Sequence, residues 1–151
     1  MKFYSYIEEN SNKKINIFFD MDGVLAEYDI GNFDYETIRP LKSNIKRVEE
    51  LVKQENINVE ILSICKNNKV VEEKKVWFKK HMPFFDLDKA NLISKEEYPD
   101  ISSQELKSVY LKEHTNDKDI NILVDDDPSI IKHVRTNNEN IKIFHVSSLI
   151  D

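Results

Sequence analysis

Ile15-Asn16-Ile17-Phe18-Phe19-Asp20-Met21-Asp22-Gly23-Val24-Leu25-Ala26 is a short apolar run of β-forming residues that ends in two carboxylates and a glycine. Such a run reads as a buried strand that carries acids to its C-terminal tip, where open α/β sheets bind their ligands. Asp20 and Asp22 are two residues apart, so extended backbone through Asp22 points both side chains to one side, and Gly23 then permits a sharp turn. Crowded carboxylates repel unless a proton or a cation lies between them. A hard divalent ion with oxygen ligands, Mg²⁺ above all, relieves that repulsion and leaves coordination positions for a phosphate. A calcium loop is the rival reading, but an EF-hand loop needs its glycine sixth and a glutamate twelfth. Here the glycine is fourth, and an apolar strand precedes the acids.

The flanking sequence alternates strands with helices. Residues 1–14 read as a short extended or helical lead-in followed by a turn. Residues 27–39 are polar, with Tyr28, Phe33 and Tyr35 among them, and read as a loop or flap over the strand tips. Pro40 fits the first turn of a helix whose apolar stripe is Leu41, Ile45, Val48, Leu51 and Val52. Ile57 to Ser63 is a second strand, closed by a hydroxyl. Residues 70–81 form a second helix with Val70, Lys74, Trp77, Phe78 and His81 on or beside one face, Trp77 and Phe78 being core residues. A third strand follows at 90–94, and a third helix at 102–114 with Leu106, Val109 and Tyr110 buried. A fourth strand, 120–124, delivers Asp125-Asp126-Asp127. A helix opening at Pro128 and a last strand at 141–146 complete the order. This pattern predicts a doubly wound, largely parallel five-stranded sheet of the Rossmann-like kind. Parallel strands joined by crossover helices bring their C-terminal ends to one side, so Ser63 is expected near Asp20.

Composition bounds the function. A chain of 151 residues suits one domain, spanning 1–151, able to bury roughly 70% of its unfolded surface. Hydrophobic residues make up 40% and charged residues 33%, and no stretch approaches the ~18 consecutive apolar residues of a membrane span. The N-terminus lacks the apolar core of a signal peptide, and Cys65 is the single cysteine; both predict a cytoplasmic protein without disulfides. A net charge of −6 argues against a broad nucleic-acid-binding surface but permits an anionic small-molecule substrate. Lys66, Lys69, Lys74 and Lys75 form a local basic cluster, which reads equally well as a solvated helix face. A cysteine-phosphatase loop is excluded because Val71 stands where its arginine belongs. His81, His114, His133 and His145 lack metal-ligand spacing, and two glycines cannot build a Gly-rich nucleotide loop.

Asp20-Met21-Asp22-Gly23-Val24 resembles the signature of the haloacid-dehalogenase-like phosphatases, and the run through Leu25 and Ala26 is most similar to their 5'(3')-deoxyribonucleotidase branch. The resemblance implies a haloacid-dehalogenase-like fold. It also implies Asp20 as the nucleophile that becomes an aspartyl phosphate, Asp22 as general acid and base, and Ser63 as a phosphate ligand. Carboxylate nucleophiles and carboxylic-acid proton donors are chemically suited to those roles. Asp127, directly before a proline at the first helical position, is accounted for as a helix N-cap. Asp125 and Asp126 are then left for the metal, and Asp20, Asp22 and Asp125 are the expected Mg²⁺ ligands. The resembled family also uses a lysine at the phosphate; Lys107 is the first candidate, Lys95 the second and Lys74 the third. Only 36 residues separate Ala26 from Ser63, too few for the helical cap of the deoxyribonucleotidases beside a crossover helix. The expected activity is Mg²⁺-dependent hydrolysis of a phosphomonoester, with a nucleoside monophosphate as substrate. The alternatives are a sugar phosphate, a phosphorylated macromolecule, or binding without turnover.

Overall fold

The computed structural model describes residues 2–150. Met1 and Asp151, the ends of the predicted 1–151 domain, lie outside the described residues. In chain order the elements are α1 (Phe3–Glu9), β1 (Ile15–Phe19), α2 (Lys42–Val52), β2 (Ile57–Cys65), α3 (Asn68–His81), β3 (Ala90–Ser94), α4 (Ser103–His114), β4 (Ile120–Asp125), α5 (Pro128–Asn137) and β5 (Ile141–His145). Single 3-10 turns follow α3, β3 and β5.

The five strands form one all-parallel sheet in the order β3-β2-β1-β4-β5, the α/β architecture expected from the alternation. Alternate residues of β1 feed opposite layers, as the two-residue period of a strand requires. Ile15, Ile17 and Phe19 join Val48 of α2, Trp77 and Phe78 of α3, and Phe3 of α1 on one face. Phe18 joins Leu111 of α4 with Ile130, Ile131 and Val134 of α5 on the other. Both faces are therefore covered, which is why β1 is buried at every position. The lead-in is helical rather than extended, and it packs the Phe3 ring against Phe19 and Phe144 at 6.4 Å and 5.5 Å.

Local capping rules account for three helix starts. Asn67, Ser102 and Asp127 each accept a bond from a backbone N–H of the first turn, at Val70, Glu105 and Ser129 respectively. Lys79 and Lys80 in the last turn of α3 complement its dipole.

Five expectations change. Pro40 lies outside α2, in an antiparallel bridge with Ala26, because residues 25–27 and 39–41 pair to form the neck of the flap. Val52 is 39% exposed at the end of α2. On α4, Val109 is exposed while Lys107 and Ser108 are buried, because the ionic partners of Lys107 turn that side of the helix inward. Val146 leaves β5 and opens a 3-10 turn. β2 also runs past Ser63 to Cys65, so the serine sits within the strand rather than closing it.

Candidate active site

The chain winds from β1 through β2 to β3 on one side, then returns to pair β4 with the free edge of β1. This reversal leaves a crevice at the carboxyl ends of β1 and β4, the place where doubly wound sheets bind ligands. Asp20 follows β1 there, its N–H bonded to the Val124 carbonyl at 3.0 Å, and Asp125 closes β4 beside it. A cavity of about 370 Å³ opens at that point, lined by Asp20, Asp22, Lys107, Asp125 and Asp126 together with Tyr28.

The turn after Asp20 is tightly made. The N–H groups of Val24, Leu25 and Ala26 all converge on the Met21 carbonyl, and Gly23 N–H donates to Ala26 at 2.8 Å. Gly23 has φ of 79°, a left-handed conformation that favours glycine, and a Cβ placed on it would collide with the Asp126 carboxylate. Glycine thus lets the loops after β1 and β4 close on each other.

Each acid has a distinct environment. The Asp125 side chain is fully buried; its Oδ1 accepts from the N–H groups of Asp126 and Asp127 at 2.8 and 3.0 Å, and its Oδ2 accepts from Lys107 at 2.6 Å. Lys107 also reaches Asp20 Oδ1 at 3.0 Å, bridging the two strand ends. Burial pushes the Asp20 carboxyl up to about 7; Asp125 and Asp22 add to the rise, while Lys107 opposes it. The half-buried Asp126 is likewise raised, by burial first and by Asp125 next. Burial pulls against the charge on Lys107, yet Asp20 and Asp125 outweigh it and raise its pKa.

Asp20, Asp125 and Asp126 each offer an oxygen within 4.8 Å of the others, a grouping able to hold a metal ion. Asp22 is not in that set, although the sequence reading placed it among the ligands. Its carboxylate is instead clasped by two donors, Tyr35 Oη to Oδ1 and Lys74 Nζ to Oδ2, both at 2.9 Å. Lys74 is fully buried, and its ammonium also donates to Ser63 Oγ at 2.8 Å. Burial lowers the pKa of Lys74, but Asp22 leads a larger opposing effect and the net shift is upward. The Tyr35 hydroxyl is pushed far up by burial and by Asp22, so it stays a donor.

The structure therefore brings Asp20, Asp22, Lys107 and Asp125 together around one cavity, with Asp126 added. Ser63 does not line that cavity; it is buried, and its oxygen accepts from Lys74, which links it to Asp22. Of the three candidate lysines, Lys107 and Lys74 both reach site acids, whereas Lys95 turns away to the Ile101 carbonyl at 2.6 Å. Asp127 accepts from Ser129 N–H at 2.8 Å as the cap of α5. Sequence reasoning missed Tyr35 as a partner of Asp22 and ranked Lys74 last. The available signal was that Lys74 shares the helix face of Trp77 and Phe78, a buried stripe where a lysine must find charge partners. Among the described residues no buried side-chain nitrogen or oxygen lacks a hydrogen-bond partner. Nor is any helix long and apolar enough to cross a membrane.

No family model and no curated protein matches this sequence. The fold is similar to chains in two solved structures. The Pnkp1/Rnl/Hen1 complex aligns over 89% of this chain and 46% of the other, with a TM-score of 0.68 and 17% identity. The Pnkp1/Rnl/Hen1 RNA repair complex aligns over 89% and 43%, with a TM-score of 0.64 and 17% identity. The chain spans less than half the length of these neighbours, and the likeness is one of fold.

Proposed function

We propose that the protein is a metal-dependent phosphomonoesterase of the haloacid-dehalogenase-like kind, with Asp20 as nucleophile. The observation that carries this reading is the Lys107 bridge between Asp20 and Asp125 beside the Asp20-Asp125-Asp126 grouping. It supports the reading because a candidate nucleophile, a fixed cation and a cluster of carboxylates able to hold a metal ion meet at the carboxyl ends of β1 and β4. The donor set is all oxygen and carboxylate-rich, which suits a hard cation such as Mg²⁺. Asp20, Asp125 and Asp126 are the residues that would hold it. When bound, the ion would neutralise the carboxylates and draw charge from the phosphoryl oxygens.

The chain's own residues supply the rest. Asp20 attacks phosphorus, and Asp22 protonates the departing oxygen, then takes a proton from the water that releases phosphate. Lys107, with the Ser63 hydroxyl, offers donors for charge gathering on the phosphoryl group, while Lys74, its N–H groups turned to Asp22, Ser63 and the Ile64 carbonyl, holds Asp22 in place. The favoured substrate is a nucleoside monophosphate. Tyr28 and Phe33 stand 61% and 73% exposed on the flap, and with Tyr35 and Lys66 they border a groove of about 330 Å³ that shares Asp22 with the phosphate cavity. Exposed rings beside a phosphate site suit a base, whose stacking is worth ~1–3 kcal/mol in other nucleic-acid contexts. A phosphorylated macromolecule is the second reading, favoured by the absence of a helical layer in residues 27–39 and by the fold's likeness to chains of an RNA repair complex.

The test is a panel of nucleotides, sugar phosphates and phosphorylated oligonucleotides assayed with Mg²⁺ and with EDTA. Metal-dependent phosphate release that Asp20→Asn abolishes supports the reading. An inactive wild-type protein, or full activity in Asp20→Asn, refutes it.

A further inference from the structure

The flap sends a side chain into the site. Tyr35 donates to one oxygen of Asp22 while Lys74 donates to the other, so the carboxylate is held from two sides, by the flap and by α3. The phenol ring lies over the Lys74 ammonium, 5.4 Å from its centroid, and packs against the main core. A second tie fixes the same part of the flap, because Trp77 Nε1 donates to the Ile38 carbonyl at 3.0 Å. The Asp22 side chain nonetheless remains 27% exposed and borders both the phosphate cavity and the flap groove. Each carboxylate oxygen has two acceptor positions, so the two donors leave one on each oxygen for a substrate.

We propose that Tyr35 is a positioning residue that aims Asp22 at the leaving-group oxygen and so ties the seated flap to proton transfer. This rests on the reading of Asp22 as general acid and base. In the first half-reaction the bond from Asp20 to phosphorus forms and the bond from phosphorus to the leaving oxygen breaks. The Asp22 proton passes to that oxygen. In the second, the oxygen of water bonds to phosphorus, the bond to Asp20 breaks, and the proton of water returns to Asp22. The sum is ester plus water giving alcohol plus phosphate. Without the hydroxyl of Tyr35 the carboxylate is tethered by Lys74 alone and turns about its side-chain torsions. Proton delivery then suffers more than phosphoryl attack. An alkoxide leaving group depends on that proton, whereas p-nitrophenolate departs without it.

Tyr35→Phe in the full chain tests this, with kcat/KM measured for a nucleoside 5'-monophosphate and for p-nitrophenyl phosphate on the same preparation. The expected result is a roughly tenfold loss on the alkyl ester, the scale of one lost hydrogen bond, and a loss below about twofold on the aryl ester. Any fraction of misfolded protein lowers both rates equally, so the ratio of the two esters is the readout. An unchanged ratio in the variant, with the wild type active on both esters, overturns the positioning role and leaves the phosphatase reading standing. A wild type inactive on both esters overturns the two together.

Discussion

Replacing Asp20 by Asn should abolish turnover and, in the absence of metal at pH 8, make the fold more stable. Asp20 is 9% exposed and its carboxyl is raised from 3.8 to about 7, chiefly by burial. A carboxyl raised on folding adds stability that is fully present below the unfolded value, near pH 4, and is lost as pH climbs through about 7. At about 1.4 kcal/mol per unit, the ionised carboxylate at pH 8 costs up to about 4 kcal/mol, and relaxation of the site reduces this to about 1–3 kcal/mol. Asn keeps the shape and removes the charge. Lys107 retains Asp125 at 2.6 Å, so its own charge stays paired. For a domain of this size the gain corresponds to a rise in Tm of roughly 2–12 °C. The assay is thermal unfolding of both proteins in EDTA across pH 5 to 8. The gain should shrink steadily as pH falls, because the wild-type carboxyl then takes up its proton. Added Mg²⁺ should narrow the gap at pH 8 by stabilising the wild type more. A variant that melts lower than wild type at pH 8 in EDTA, or a gain that does not depend on pH, would refute the argument that buried charge is what strains this site.

Asp127→Ala should lose about 1 kcal/mol of stability, the usual effect of a missing N-cap, with Mg²⁺ binding unchanged by calorimetry. Asp125→Ala should be far more damaging, by about 3–5 kcal/mol, because it strips the buried Lys107 of its closer partner and frees two backbone N–H groups; equal melting losses in the two variants would contradict this division. Lys107→Met should lower kcat by about a hundred- to a thousandfold, the scale of one lost charge-stabilising donor, while circular dichroism stays native. Gly23→Ala should cost about 1–2 kcal/mol from the left-handed backbone alone and should also weaken Mg²⁺ binding, since the new methyl displaces Asp126; unchanged metal affinity would show that the Asp126 carboxylate has room to move.

Much of the fold could be read from local pattern. β1 was visible as an apolar run, β3 falls on the predicted residues, and the cap at Asp127 follows from short-range chemistry. The misjudged positions are those where a distant contact overrides local preference. Pro40 looks like a helix start, but the flap neck pairs it with Ala26. Val109 looks like a core residue, but ion pairing turns the neighbouring Lys107 inward and leaves it exposed. Lys74 looks like one member of a basic surface cluster, but it is the most buried lysine of the site.

Residues 15–26 by themselves determined that a buried strand would deliver two carboxylates to a glycine turn, because strand periodicity and the conformational freedom of glycine act within a few residues. The order of elements likewise implied a parallel sheet whose acid-bearing ends share one side. Only the tertiary structure decided which groups meet there. Lys74 meets Asp22 across 52 residues of chain, Lys107 meets Asp125 across 18, and Tyr35 reaches Asp22 across 13. It also put Asp126, rather than Asp22, with Asp20 and Asp125. These pairings depend on the strand reversal between β1 and β4 and on how the flap folds back over α3. A buried charge takes whichever partner the packed fold brings within hydrogen-bond reach, and that choice has no periodic trace in the chain.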